Sequence, residues 1–184
     1  MTHKADMKKH AKLLWLDLEM TGLDPQRDRV LEVAAIATDW NFEEMAVIES
    51  VVHQSPKVLD LMDDWVRSQH ASSGLTERVR ASDVSETDAE DILLQFIDSV
   101  YKDGDPVVLA GNSIHQDRRF IRQYWQRLDA RLHYRMLDVS AWKVVFEGKY
   151  QKRFPKPEDH RALEDIRGSI MELKYYLTKV RVSS

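Results

Sequence analysis

Apolar and polar positions along the chain follow two rhythms, and the switches between them outline a fold. Residues 13–19 ("LLWLDLE"), 30–38 ("VLEVAAIAT") and 45–53 ("MAVIESVVH") are short apolar runs that read as three successive strands. Thr21-Gly22-Leu23-Asp24-Pro25 supplies turn chemistry between the first two. Over residues 57–69 the period lengthens to that of an amphipathic helix, with Val58, Leu61, Met62 and Trp65 at helical spacing. A polar stretch, "SSGLTERVRASDV", leads into a second helix near 86–101, for which Ser85 is the predicted N-cap ahead of an acidic first turn.

"PVVLAGN" (106–112) is the predicted fourth strand, followed by a helix over 114–131, and "HYRML" (133–137) a short fifth strand with a helix after it. Residues 147–159, "EGKYQKRFPKPED", read as a basic, proline-containing loop. A final helix over 161–180 carries Ala162, Ile166, Ile170, Leu173, Leu177 and Val180 along one face. No repeat or linker divides the chain. A strand meander followed by strand–helix alternation predicts one α/β domain over residues 1–184, with residues 1–11 as a flexible N-terminal extension. Its sheet is expected to be mixed, of about five strands flanked by α-helices.

Composition narrows the function. A chain of 184 residues with 43% hydrophobic content suits a single substantial core. No apolar run approaches the roughly 20 residues that cross a bilayer, and the polar start "MTHKADMKKHAK" lacks an apolar signal segment. Cysteine is absent, which excludes disulfides, thiolate nucleophiles and soft metal sites and fits a cytoplasmic protein. The net charge of -4 is the wrong sign for gripping long nucleic acid by its phosphates. A nucleic-acid substrate would have to be short, or met through metal ions.

Side chains alternate along a strand, so Leu13, Trp15, Asp17 and Glu19 share one side of the first strand and Leu14, Leu16 and Leu18 the other. The two carboxylates sit together at its C-terminal end, where open α/β sheets place ligands. Taken alone, a solvated strand end explains them equally well. On the helix predicted over 114–131, Ile114, Ile121, Trp125, Leu128 and Leu132 form an apolar stripe that contains Asp117, while Arg118, Arg119 and Arg122 lie largely off it. A carboxylate facing a core is costly unless paired or bound to metal, and pairing with a nearby arginine is the competing reading. In "DHRALEDIRGSI" (159–170), His160 and Asp165 lie about 140° apart on a continuous helix. They serve one site only if His160 lies in the preceding loop, a placement that Pro155 and Pro157 favour. By itself His160 reads as a surface histidine.

Together, Asp17, Glu19, Asp117 and Asp165 form a set that cannot stay ionised at close range without cations. Hard oxygen ligands select Mg²⁺ or Mn²⁺. Two such ions about 3.5–4 Å apart activate a water and stabilise the leaving oxygen of a phosphodiester. His160, with an ordinary pKa of about 6.5, suits the role of general base near neutral pH.

"DLEMTGLD", "GNSIHQDRRF" and "HRALEDIR" resemble the three exonuclease motifs of the DEDD superfamily in its histidine-containing branch. The likeness is closest to the oligoribonucleases and covers residues 12–178 or so. The resemblance implies an RNase H-like fold, two divalent cations, Mg²⁺ or Mn²⁺, and 3′→5′ hydrolysis to 5′-mononucleotides. It implies substrates that are short single-stranded RNAs of a few nucleotides, down to dinucleotides. By matched position, Asp17, Glu19, Asp117 and Asp165 would bind metal and His160 would be the base. Trp65 would stack on a base, Leu23 would wedge against the bases, and His70 would reach the 3′-terminal ribose. Ser113, Arg135 and Ser140 would close over the 5′ phosphate, and Tyr134 would reach that site from the second subunit of a homodimer.

Plainer roles compete for these residues. Trp65 shares a helical face with Leu61 and Met62 and would pack in the core; Leu23 would only close a turn; Arg135 would be a surface residue and Tyr134 a core aromatic. The chain also departs from the family pattern. His115 stands where many bacterial relatives have glycine, Glu164 replaces the more usual aspartate, and "WKVVFEGKYQKRFPKP" follows no bacterial pattern. A proofreading-type DNA exonuclease or a tRNA-trimming exonuclease would use the same four acids. The 5′-capping residues and the acidic net charge favour short RNA instead. A non-catalytic binding module would have lost a metal ligand or the histidine, and the chain retains all five residues.

Overall fold

The computed structural model describes residues 10–155 and 162–181. Most of the N-terminal extension expected over 1–11 therefore lies outside the described residues. Strands β1 (Leu13–Met20), β2 (Val30–Thr38) and β3 (Glu44–Val51) form an antiparallel meander. Strands β4 (Val107–Gly111) and β5 (Leu132–Asp138) then add in parallel on the other side of β1, giving the order β3-β2-β1-β4-β5. This is the mixed five-stranded sheet the apolar rhythm predicts. Strand β1 is flanked on both sides, and its residues Leu13–Leu16 are fully enclosed.

Helices cover both faces and bury the two alternating sets of β1 side chains separately. Leu14, Leu16 and Leu18 pack under α4 (Glu86–Val100), α5 (His115–Tyr124) and α6 (Gln126–Arg131), against Leu93, Ile97, Phe120 and Trp125. Leu13 and Trp15 pack on the opposite face under α7 (Val139–Tyr150) and α8 (Ala162–Leu177), against Phe146, Ile166, Ile170 and Tyr176. Fully burying side chains of this size contributes about 1.5–3 kcal/mol each, so the first half of β1 is firmly fixed from both faces, beside β2, which is buried along its whole length. Within these layers Trp15 Nε1 donates to Thr38 Oγ1 at 3.0 Å, whereas the buried Tyr101 hydroxyl has no hydrogen-bond partner among the described residues. Among the described residues no helix is long and apolar enough to cross a membrane.

The helices differ from the sequence reading where a polar side chain interrupts a periodic run. The helix predicted over 57–69 is two helices, α1 (Pro56–Leu59) and α2 (Asp64–Ser72), because Asp63 accepts the Val66 amide at 2.8 Å and starts a new N-terminus. The stretch "SSGLTERVRASDV" holds a further helix, α3 (Leu75–Ala81), entered through Gly74 at φ 73. Leu75 and Val79, one turn apart, bury against Leu31, Leu59 and Met62. The helix predicted over 114–131 breaks at Trp125 into α5 and α6. There Glu90, buried on α4, accepts the amides of Arg127 at 2.8 Å and Leu128 at 3.0 Å and also holds the Arg127 guanidinium. Helix α7 runs on to Tyr150, into the segment read as loop, and on α8 Tyr176 is buried whereas Leu177 is exposed, as is Val180 beyond it.

Glu90→Ala leaves two enclosed amides without an acceptor and lowers stability by about 2–3 kcal/mol. Glu90→Gln, which keeps an oxygen for them, costs less. Urea denaturation at constant slope checks the order.

Candidate active site

The C-terminal end of β1 presents Asp17 and Glu19 on the face of Leu13 and Trp15, both half-buried. Strand β4 pairs with β1 only from Leu13 to Trp15. Beyond that point the Leu18 amide donates to Asp117 Oδ1 at 2.9 Å, so an acid from α5 continues the edge that β4 has left. Gly111, at the end of β4, allows this approach, because a Cβ there would stand 3.0 Å from the Leu16 carbonyl and 2.9 Å from Ile114. Asp117 is 6% exposed. The arginine pairing that the sequence left open does not hold it. Arg118 turns to Asp129 at 3.1 Å and the His133 carbonyl at 2.6 Å, Arg119 to Gln116 at 2.7 Å, and Arg122 to Asp129 at 3.6 Å.

Asp165 arrives from the opposite face of the sheet in the first turn of α8, half-buried. Arg167, two positions on, anchors that turn by gripping Glu44 of β3 with two nitrogens, at 3.0 and 3.2 Å. Ser169 Oγ donates to the Asp165 carbonyl at 2.9 Å and accepts from Asn112 at 2.8 Å. The acids feel one another. Burial first, then the charges of Glu32 and Asp165, push the Glu19 carboxyl up to about 7 against a small opposing effect of Arg78. Burial, with the charges of Glu19 and Asp138, also raises Asp117, and the bond from the Leu18 amide opposes it.

Glu19 and Asp165 open into a cleft of about 590 Å³ whose other walls include Leu23, Trp65 and His70. Trp65 is 71% exposed and Leu23 63%, so neither packs in the core. Met62 is buried apart from Trp65, and Leu61 is exposed as well. His70 is buried. Its Nε2 lies 2.9 Å from the Met20 carbonyl, which can only accept, so Nε2 carries the hydrogen, and Nδ1 faces Glu19 at 4.0 Å. Burial holds its pKa below the ordinary histidine value.

The turn carrying Leu23 is built around Asp28. The Asp28 carboxylate accepts the Asp24 amide at 2.9 Å, and Thr21 Oγ1 accepts the Arg29 amide at 3.0 Å. Residue 22 must be glycine, since a Cβ there would stand 2.3 Å from Asp28 Oδ2. The Tyr124 hydroxyl on α5, itself bonded by Arg29, shares its hydrogen between the Pro25 and Asp28 carbonyls at 2.7 and 2.8 Å. The Leu23 turn and Asp117 are thereby fixed to one helix.

A second cluster joins Ser113 and Ser140 through Asp138, a residue the sequence reading missed. Asp138 Oδ1 accepts the amides of Ser113 at 3.0 Å and Ser140 at 2.9 Å, and the two hydroxyls are 3.1 Å apart. Ser113 takes φ 50 to enter this arrangement. His115 Nδ1 lies 3.4 Å from Asp138 Oδ2, so it is a polar contact of the cluster. Asp-x-Ser at a strand end is the N-cap signature that would have pointed to Asp138. Arg135 does not join the serines in this arrangement. Its guanidinium lies over the Tyr134 ring at 5.2 Å, and Tyr134 is 71% exposed rather than a core aromatic. His160 lies outside the described residues.

Among the described residues no three acidic or histidine side chains are already arranged around a common metal position. The donor set nevertheless suits a hard cation. It is all carboxylate, and burial and mutual repulsion have raised two of its members in the way a nearby cation would reverse.

A five-stranded mixed sheet with acids delivered to one strand end from both faces defines a nuclease fold, and the chain belongs to the Exonuclease family, whose model matches residues 14–173. Curated relatives carry a narrower name. The chain is 45% identical over 174 residues to an oligoribonuclease of Hahella chejuensis, covering 92% of this chain and 95% of the relative. It is also 45% identical over 168 residues to the oligoribonuclease of Escherichia coli K12, covering 89% and 92%. A zinc-bound E. coli exonuclease I–single-stranded DNA complex shares the fold, with a TM-score of 0.72 at 16% identity over 93% of this chain. This chain spans 41% of that larger protein.

The raised carboxyls fix the sign of a pH effect. In chelator, the folded protein binds a proton at Glu19 up to about pH 7, whereas the unfolded chain releases it near its ordinary value of 4.5. That contribution to stability is full below 4.5 and is lost as pH rises through 7. The thermal midpoint in EDTA should fall between pH 5 and 8, and Glu19→Gln should flatten the fall.

Proposed function

We propose that this protein is a cytoplasmic 3′→5′ exoribonuclease that hydrolyses short oligoribonucleotides, dinucleotides included, to 5′-mononucleotides. The observation that supports the reading is that Glu19 feels the charge of Asp165 from α8 and acts on Asp117 from α5, acids brought to the end of β1 from opposite faces, with Asp17 two residues before Glu19 on the same side of the strand. Membership of the Exonuclease family and the oligoribonuclease relatives support the substrate class. The four carboxylates hold two divalent cations, Mg²⁺ or Mn²⁺. When bound, such ions polarise a water and the scissile phosphate and offset charge on the leaving oxygen.

The chain's own residues do the rest. His160 takes the proton of the attacking water, phosphorus gains that oxygen, and the bond to the 3′ oxygen of the preceding nucleotide breaks, that oxygen leaving as a hydroxyl with a proton from solvent. Trp65 offers a face to a base and Leu23 wedges beside it; their exposure on a shared cleft supports both roles. His70, neutral and fixed by the Met20 carbonyl, keeps its Nδ1 available to a hydroxyl of the 3′-terminal ribose. Ser113 and Ser140, held side by side by Asp138, receive the 5′ phosphate, and Arg135 swings from the Tyr134 ring to complete that cap. The functional unit is a homodimer in which Tyr134 contacts the 5′ end of substrate held by the other subunit, a role its exposure supports.

A length series of labelled RNAs in Mn²⁺ should show fastest turnover on dinucleotides and none in EDTA. A binder without turnover, or a preference for long DNA, would overturn the reading. Asp17→Ala should abolish hydrolysis without unfolding the chain, and His160→Ala should slow it by about 10²–10⁴-fold. Arg135→Ala should harm dinucleotide cleavage most; an equal loss on longer RNAs would remove Arg135 from the 5′ cap.

A further inference from the structure

The register of β1 and β2 makes Glu19 and Glu32 direct partners, so two glutamates face each other on the same side of the sheet. Like charges directly opposite are destabilising, and Glu32 is only 2% exposed. Its charge is met by Arg78, whose Nη1 lies 2.5 Å from Glu32 Oε1 and 3.9 Å from Glu49 Oε1 on β3. Arg78 comes from α3, which Leu75 and Val79 clamp to Leu31. The same guanidinium acts electrostatically on Glu19 across the strand pair. A cation bound to the strand partner of a metal-binding carboxylate competes for that carboxylate unless another acid occupies it.

We propose that Glu32 is a positioning residue for Glu19: by engaging Arg78 it keeps the guanidinium off the Glu19 carboxylate, which stays turned to the cleft for a divalent cation. The proposal rests on the reading of Glu19 as a metal ligand. Removing the Glu32 charge leaves Arg78 only its longer 3.9 Å contact with Glu49 and lets the guanidinium turn to Glu19. Removing both charges together restores Glu19 to the metal. A pair that merely ties α3 to the sheet would change stability and leave metal affinity alone.

The test compares Mn²⁺ binding, by the electron paramagnetic resonance signal of the free ion, in the wild type, Glu32→Gln, Arg78→Met and the double variant. Glu32→Gln should bind Mn²⁺ about 10–100-fold more weakly, the usual cost of losing a group that orients a ligand. The Mn²⁺ concentration for half-maximal hydrolysis should rise in parallel, with turnover recovering at saturating metal. Arg78→Met should lower the thermal midpoint, because buried Glu32 loses its cation. The double variant should regain both midpoint and affinity. Unchanged affinity in folded Glu32→Gln, or a double variant as weak as the single, would overturn the proposal. If Glu32→Gln does not fold, Glu32→Asp decides, since its shorter reach loosens the hold on Arg78 and must weaken Mn²⁺ binding. A wild type that binds no Mn²⁺ would overturn the metal site itself; wild-type binding with no shift in the variants would overturn this inference alone.

Discussion

Acids at the end of a fully buried strand are the constraint on which the rest of this structure turns. Leu13 to Leu16 are enclosed on both faces, so β1 cannot shift to let Asp17 and Glu19 escape into water. Burial and neighbouring charge then raise Glu19 to about 7 and raise Asp117 as well. A fold seeking only stability would neutralise such acids with the nearest arginines. Here Arg118, Arg119 and Arg122 are all turned to other acceptors, and Asp117 is steadied by one backbone amide. Burial thus favours the protonated form of Glu19 and Asp117 where these arginines do not hold them, and a nearby divalent cation would draw both back to the ionised form.

That arrangement needs both faces of the sheet. Because β4 stops pairing at Trp15, the α5 side can reach the Leu18 amide at the open edge. On the other face α8 is clamped to β3 by Arg167 and Glu44, which sets the depth at which Asp165 enters. The neighbouring turn and serine pair hang from the same parts. Tyr124 ties the Leu23 turn to the helix that carries Asp117, and Asp138 ties Ser113 after β4 to Ser140 on α7. A displacement of α5 would therefore disturb Asp117 and the Leu23 turn together.

All five strands were legible in the sequence because each is a compact apolar run, and the period-two alternation alone put Asp17 beside Glu19. Asp117 was legible as a charge inside an apolar stripe. What the sequence hid depends on pairing between distant segments. Helix α3 shows only Leu75 and Val79 as buried apolar residues, too few to give a period, and it exists because Leu31, Leu59 and Met62 leave a surface for them. The break at Trp125 is set by Glu90, whose numbering gives no hint of its partners at 127 and 128. Trp65 had the spacing of a core residue, yet the new helix begun at Asp63 leaves it exposed over the cleft. Glu32 was invisible as a neighbour of Glu19 until the register of β1 and β2 was known.

The distribution of positive charge carries the argument one step further, to the size of the substrate. Proteins that follow a long strand keep their arginines free for phosphates, and each contact adds to a steep salt dependence. In this protein Arg27, Arg78, Arg118, Arg127, Arg131 and Arg167 are each tied to a carboxylate of the same chain. The net charge of -4 adds a repulsive background that a long polyanion would meet along its whole length. A molecule with one or two phosphates meets that background only at the cleft. On the proposed reading, cations held by the acids and the Ser113–Ser140 pair would answer it there. Arg135 is one of the arginines outside these carboxylate pairs, and its guanidinium rests on an aromatic ring, a hold weak enough to exchange for a phosphate. The same economy of positive charge that makes the surface unsuited to long nucleic acid thus fits the proposed place of Arg135 at the 5′ end of a short one.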